Sequence, residues 1–259
     1  MKQSLIYFLL FIFSINILNS QDLSDKNVLI VWGGWEGHKP ESFAKNIEKW
    51  LISQNANYKT YNGLEAYENY DELIKYDLII QSITMGHISK KRENNLLKAV
   101  RNGVGIAGAH GGLADSFRNN PNYQFMIGGQ WVSHPGGKVK FKVNMLDDEL
   151  TKDLNDFEIY SEQWYVHFDP NIEVIANTIF NGEFYDWIDG VVMPVAWKKR
   201  FGKGKIFCTT LGHDPDEFIK EENAWKLLTR GFLWSMSCLL YTSDAADEGL
   251  GVDLGGRRI

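Results

Sequence analysis

Four of the six histidines, His38, His87, His110 and His213, each follow an apolar segment by a few residues: VLIVWGGWEGH, LIIQSITMGH, GIAGAH and KIFCTTLGH. In an open α/β sheet, the loops leaving the carboxyl ends of parallel strands surround one crevice, so four imidazoles could meet there. Neutral imidazole is a common ligand for borderline divalent metals, and three or four converging histidines would suit zinc or a similar ion. The same groups could equally serve metal-free acid–base chemistry. No HExxH motif or closely spaced pair narrows the choice. His134 (SHPGG) and His167 (WYVHFDP) lie in segments rich in Gly, Pro and aromatic residues and are candidates for substrate contact.

Carboxylates accompany these histidines. Glu36 stands two residues before His38, and Glu162 precedes Gln163-Trp164-Tyr165. Either could act as a general base or orient a ligand. Asp214 and Asp216 in DPDEF are better read as helix caps. Arg118 and Lys39 could steady negative charge. Trp35, Trp131 and Trp164 flank the same segments, and flat aromatic faces suit the C–H faces of a sugar ring. Gly-rich stretches (GGWEG, GAHGG, IGGQW, HPGG) let backbone approach a ligand. None matches G-x-G-x-x-G or a P-loop, so no nucleotide cofactor is expected.

The elements that must position these residues alternate in the first half. Val28–Trp32, Tyr58–Tyr61, Asp77–Ile83 and Val104–Ala109 read as strands. Between them, Pro40 opens a helix, Asp71–Lys75 forms a short helical turn, and a third helix runs from an Ser89 N-cap to Gly103. This alternation predicts a parallel sheet with helices on both faces. In the second half, Lys138–Met145 alternates like a half-exposed edge strand, and Asp147–Leu154 reads as a short capped helix. Glu173–Ile179 and Val192–Trp197 are strands, the latter in a hairpin with Lys205–Thr210. Glu221–Met236 is a closing helix. The fold class is thus α/β, mainly parallel with an antiparallel hairpin.

The chain has 259 residues, 44% hydrophobic and 23% charged, which is globular and excludes a disordered or repeat-only polypeptide. A net charge of −6 without a long basic run argues against a nucleic-acid partner. Lys2, the apolar run from Leu5 to Leu18 and Ser20 read as a signal peptide over residues 1–20. The domain would then be exported to the periplasm or beyond, with no stable membrane span after cleavage. From Cys238 onward the helical pattern ends. CLLYTSDAADE and GVDLGGRRI match what the constant blocks of a transposase-type sequencing adapter encode, so residues 238–259 are read as an artefact and the domain as 21–237.

The blocks VWGGWEGHKPE, GIAGAHGGLADSFR, FMIGGQWVSHPGG, SEQWYVHFDP, MPVAWKKRFGKGKIF and TLGHDPDEF occur in order, and over residues 28–236 the chain resembles the ThuA-like, or trehalose-utilisation, family. The resemblance implies a flavodoxin-like fold of the class I glutamine-amidotransferase type without that enzyme's cysteine. His110 occupies the turn where the amidotransferase nucleophile would sit, and Cys208 lies on another strand, so covalent catalysis is unsupported. The resemblance also implies a role in disaccharide metabolism, acting on 3-keto-sugar derivatives made by a partner dehydrogenase. In metal-binding members the matching ligands would be His38, His87, His110 and His213. The expectation is a hydrolase, lyase or isomerase of keto-glycosides with a small-molecule sugar as ligand and His110, Glu36 and Glu162 as catalytic groups. A non-catalytic carbohydrate-binding or sensing protein is the alternative, and a homodimer is left open.

Overall fold

Short runs of β-branched and aliphatic residues form the buried centre of the sheet. In the computed structural model, which describes residues 22–236, β1 (Asn27–Gly34) alternates its side chains between two cores. Val28 and Ile30 enter one, and Leu29 and Val31 the other. Such double burial is what a parallel strand covered on both faces requires. Helix α1 (Pro40–Ser53) starts on its proline and buries Phe43, Ala44, Ile47 and Leu51 on one face. There follow β2 (Asn57–Asn62), α2 (Tyr70–Leu73), β3 (Leu78–Thr84), α3 (Lys90–Arg101), β4 (Gly105–Ala109), α4 (Gly111–Ala114) and α5 (Pro121–Ile127). Ser89 caps α3 as its type predicts, its hydroxyl accepting from the Arg92 N–H.

The rest of the chain supplies β5 (Gly129–Ser133), β6 (Lys138–Met145), β7 (Phe157–Glu162), β8 (Tyr165–Phe168), β9 (Glu173–Ile179), β10 (Val192–Phe201), β11 (Gly204–Thr209), α6 (Asp216–Lys220) and α7 (Glu222–Ser235). Among the described residues nine strands form one sheet in the order β2-β1-β3-β4-β11-β10-β9-β6-β7, while β5 and β8 pair separately. The first five run parallel in a flavodoxin-like order, and the last four extend the sheet antiparallel. Helix α7 buries Leu227, Leu228 and Phe232 in the core it shares with α1.

Two expectations are corrected. β6 is not an edge strand: β7 pairs along it from Lys138 to Val143 and β9 takes its last two residues. Its alternation reports one solvated face, which interior antiparallel strands also have. The edge is β7. Residues 147–154 form successive turns rather than a helix. Asp148 accepts from the Leu150 N–H and also pairs, at 2.5 Å, with the buried Lys198 of β10, so its carboxylate is tied to the sheet.

The leader read at residues 1–20 and the tail read at 238–259 lie outside the described residues. Among the described residues no helix is long and apolar enough to cross a membrane.

Candidate metal centre

Three loops at the carboxyl end of the parallel strands, joined by the end of β7, build one cluster. His38 comes from the β1–α1 loop, His110 from the turn after β4 and His213 from the loop after β11, and Glu162 ends β7. One nitrogen from each histidine and one carboxylate oxygen lie within 4.8 Å of one another.

The turn holding His110 is strained. Its backbone sits at φ 52° and ψ −141°, which costs a non-glycine residue about 1–3 kcal/mol. Its N–H bonds the Thr209 carbonyl at 2.6 Å, and Gly111 follows. A Cβ at Gly111 would come within 2.6 Å of the His38 ring, so only glycine lets that imidazole close on the turn.

Hydrogen bonds then fix the rings. His110 Nδ1 lies 2.6 Å from the Thr210 carbonyl oxygen, which can only accept, so Nδ1 carries the proton. In the neutral ring Nε2 therefore presents a lone pair, and it faces Glu162 Oε2 at 3.1 Å. Two lone pairs in contact require a proton or a cation between them. His213 Nδ1 lies 3.0 Å from Glu162 Oε1 but off the hydrogen-bonding direction, so this buried nitrogen has no hydrogen-bond partner. A buried polar atom without a partner is costly, and a metal ligand is one resolution of it. His38 Nδ1 meets the Thr84 hydroxyl at 3.1 Å. Three imidazole nitrogens and one carboxylate oxygen thus fit a borderline divalent cation.

The electrostatics agree with that chemistry. Burial alone would raise the Glu162 carboxyl, but the His110 and His213 contacts and the Trp164 N–H at 3.1 Å outweigh it and hold the group far below the usual carboxylate range. Burial, followed by the neighbouring His110 and His213, pulls His38 down to about 3. The site accordingly combines a carboxylate with an imidazole kept neutral, which are the ligating forms.

The surroundings brace this arrangement. Trp164 is 2% exposed and its ring lies 4.2 Å from that of His110, so it is a buried support and not an open sugar face. Ser161, next to Glu162, donates to Glu217 at 2.7 Å, and Glu217 in turn accepts from the Asp214 N–H at 3.3 Å. Lys39 pairs with Asp214 at 2.5 Å, joining the residues that follow His38 and His213. Asp214 also accepts from the Asp216 N–H at the start of α6, but Pro215 holds the cap position read for Asp214 and Asp216, and Asp216 is the first helical residue.

The other expected site residues are spread around this centre. His87 is exposed in the β3–α3 loop and outside the donor set, where Glu162 stands instead. The reason is local: the Met85 and Gly86 N–H groups bond the Asp115 and Ser116 carbonyls, fastening that loop to the end of α4. His134 lies at the rim, its Nε2 3.8 Å from Glu162 Oε1. His167 is exposed on β8, and Glu36 is exposed in the loop before His38. Trp35 is 47% exposed with its ring edge-on to His38 at 4.7 Å. Arg118 is held by both oxygens of buried Asp115 and lies over the half-buried Trp131 ring at 4.5 Å, so its charge is already matched. Cys208 is buried in β11 and burial pushes its thiol up, as an inert core cysteine requires. Residue type does not single out Thr84, the Thr210 carbonyl or Glu217, since each acts only through a neighbour brought by another strand.

A family model, ThuA, described as trehalose utilisation, matches residues 27–235. A solved structure described as a ThuA-like protein from Bacteroides uniformis is similar at 18% identity with a TM-score of 0.68, covering 81% of this chain and 91% of that one. Another, from Parabacteroides merdae, has 15% identity and a TM-score of 0.68, covering 82% and 90%. A cold-adapted β-galactosidase from Rahnella sp. R3 matches with a TM-score of 0.55 at 14% identity, over 81% of this chain and 31% of that one. At these identities the likeness speaks to fold alone. Curated proteins yield no significant match.

Proposed function

We propose, from the premise that the chain belongs to the ThuA, or trehalose-utilisation, family, that it is an exported sugar-active enzyme acting on a keto-sugar or 3-keto-glycoside with a divalent metal held by His38, His110, Glu162 and His213. The observation that carries this reading is the four-donor cluster with its unpartnered His213 nitrogen. A divalent ion bound there would polarise a sugar carbonyl and stabilise the charge left when the adjacent proton departs.

The protein's own groups divide the remaining work. The Thr210 carbonyl and Thr84 hydroxyl orient His110 and His38 toward the centre. Glu162 accepts from the Trp164 N–H and faces the His110 and His213 nitrogens, which makes it a ligand in this reading and leaves proton transfer to an outer group. Glu36, exposed in the loop that carries His38, and His134 at the rim are the two groups assigned to that transfer. Trp35, exposed beside His38, and Trp131, half-buried beside His134, are the rings assigned to a sugar.

Metal analysis of the protein purified without chelator, beside a His110→Ala variant, tests this. About one equivalent of a divalent ion, lost in the variant, is the expected result. No metal in either protein would overturn the metalloenzyme and favour a carbohydrate-binding protein on the same fold.

A further inference from the structure

The loop between β9 and β10 is not used by the metal centre, yet it rises from the same end of the sheet. Ile179 and Val192 are paired where it leaves and returns, and Phe180 closes its neck through hydrogen bonds to Val191 and Gly190. β10 runs antiparallel to β11, with the Thr210 N–H bonding the Val195 carbonyl at 2.7 Å. The start of β10 therefore lies beside the strand end that delivers His213.

One contact ties the strand end that this loop leaves, and another the loop itself, to the centre's immediate neighbours. Gln163, next to Glu162, donates to the Thr178 hydroxyl at 2.8 Å and to the Ile179 carbonyl at 3.3 Å. The Phe184 ring lies on Gly136, two residues after His134, so closely that a Cβ there would fall 2.3 Å from it; Gly136 also has φ +82°. Ile188 is buried and anchors the far side.

What the loop holds out is a stacked aromatic pair. Tyr185 and Trp187 lie 4.7 Å apart with their planes 26° from parallel. They are 42% and 74% exposed, so one face of Trp187 rests on Tyr185 and the other is free. A stacked aromatic pair open to water, on a loop anchored at both ends, marks a binding surface more than a packing accident. Charge limits the ligand. Residues 180–191 contain Glu183, Asp186 and Asp189 and no Lys or Arg, which disfavours an anionic lipid, a nucleotide or a nucleic acid. A neutral polyhydroxylated ring satisfies both features, with C–H faces for the indole and hydroxyls for the carboxylates.

We infer that Tyr185 and Trp187 form a second sugar-ring subsite beside the metal centre, so that the ligand is a neutral glycoside of at least two rings. This rests on the reading that the centre takes a sugar. One ring reaches the His38–His110–His213–Glu162 cluster, and the next stacks on Trp187.

Calorimetric titration of the full chain with glucose and with trehalose, maltose and cellobiose, each as the parent sugar and its 3-keto form, tests the subsite. At least one disaccharide should bind about 5–10-fold tighter than the matching monosaccharide. Trp187→Ala should abolish that advantage without changing monosaccharide binding, and Trp187→Phe should keep most of it. His110→Ala should weaken both ligands alike. An unchanged disaccharide advantage in Trp187→Ala would overturn the subsite while leaving the sugar reading intact. No binding of any sugar by the parent protein would overturn both. Binding of tetramethylammonium that depends on Trp187, with no disaccharide advantage, would reassign the platform to a cation.

Discussion

The loops after β3 and β4 leave neighbouring parallel strands at the same end of the sheet, and their histidines meet different fates. Each loop carries a non-glycine residue in the left-handed region, Met85 at φ 50° and His110 at φ 52°. His110 is buried with both nitrogens engaged, by Thr210 and by Glu162. His87 is exposed. The difference lies in what the rest of the chain brings. The residue after β11 supplies a carbonyl to the His110 ring and β7 a carboxylate, whereas in the loop after β3 the Met85 and Gly86 N–H groups bond the end of α4. A strand end offers a position, and convergence of separate elements makes a site.

The sharpest break of this contrast is a ligand deletion. His110→Ala should lower divalent-metal affinity by at least about 100-fold, measured by competition with a fluorescent chelator. Retained affinity would show that the strained turn serves only the fold. Glu162→Gln comes next, since it keeps the shape and removes the charge that three partners surround. An affinity loss of about 10–100-fold is expected. An unchanged value would place the carboxylate outside the ligand set.

Acidity probes the same burial without a metal. His38 is held down to about 3 against an ordinary 6.5, with burial the leading cause. Between those values the unfolded chain takes up a proton that the folded site refuses, so stability falls as pH falls through the window. Glu162, held far below its ordinary 4.5, stays ionised in the folded protein and adds to the fall at the acid end, where the unfolded carboxyl protonates. Thermal unfolding of metal-stripped protein from pH 7 to pH 4 should show a falling midpoint, and His38→Gln a shallower fall. Equal slopes would mean that the folded protein protonates His38 readily.

Much of the parallel half is legible in the sequence because local signals coincide there. The double-sided burial of Val28–Val31, the proline at the start of α1 and the Ser89 cap all act within one turn or strand. His38, His110 and His213 follow from the same logic, since each loop leaves a strand of that half. The antiparallel half is harder to read. KVKFKVNM alternates identically at an edge and in an interior strand, and Asp147–Leu154 has helical composition overridden by the Asp148–Lys198 pair. Glu162 as a ligand depends on β7 bringing it to the far end of other strands, which no spacing encodes. His87 shows the converse, a correct position without a converging partner.

The bracing groups allow finer tests. Trp164→Phe keeps a ring against His110 and removes the N–H that Glu162 Oε2 accepts. The lost bond is worth about 1 kcal/mol, or roughly fivefold in metal affinity. Thr84→Val should act similarly through His38, and a variant of either kind that lost stability but not affinity would be a packing residue only.

The smallest effect belongs to the other side of the comparison. His87→Ala removes a side chain that the fold leaves exposed, on a loop held by backbone hydrogen bonds that alanine retains. Stability should change by no more than about 0.5 kcal/mol, and metal affinity by less than about twofold. The two histidines differ in where the cost of a substitution arises. At His110 the strained backbone, the Thr210 bond and the Glu162 contact are all built around one ring, and removing it leaves each unmatched. At His87 nothing is built around the ring. If His87→Ala nevertheless released metal, the β3–α3 loop would have to leave its hydrogen bonds to Asp115 and Ser116 in the bound state, and all four strand-end histidines would belong to one site.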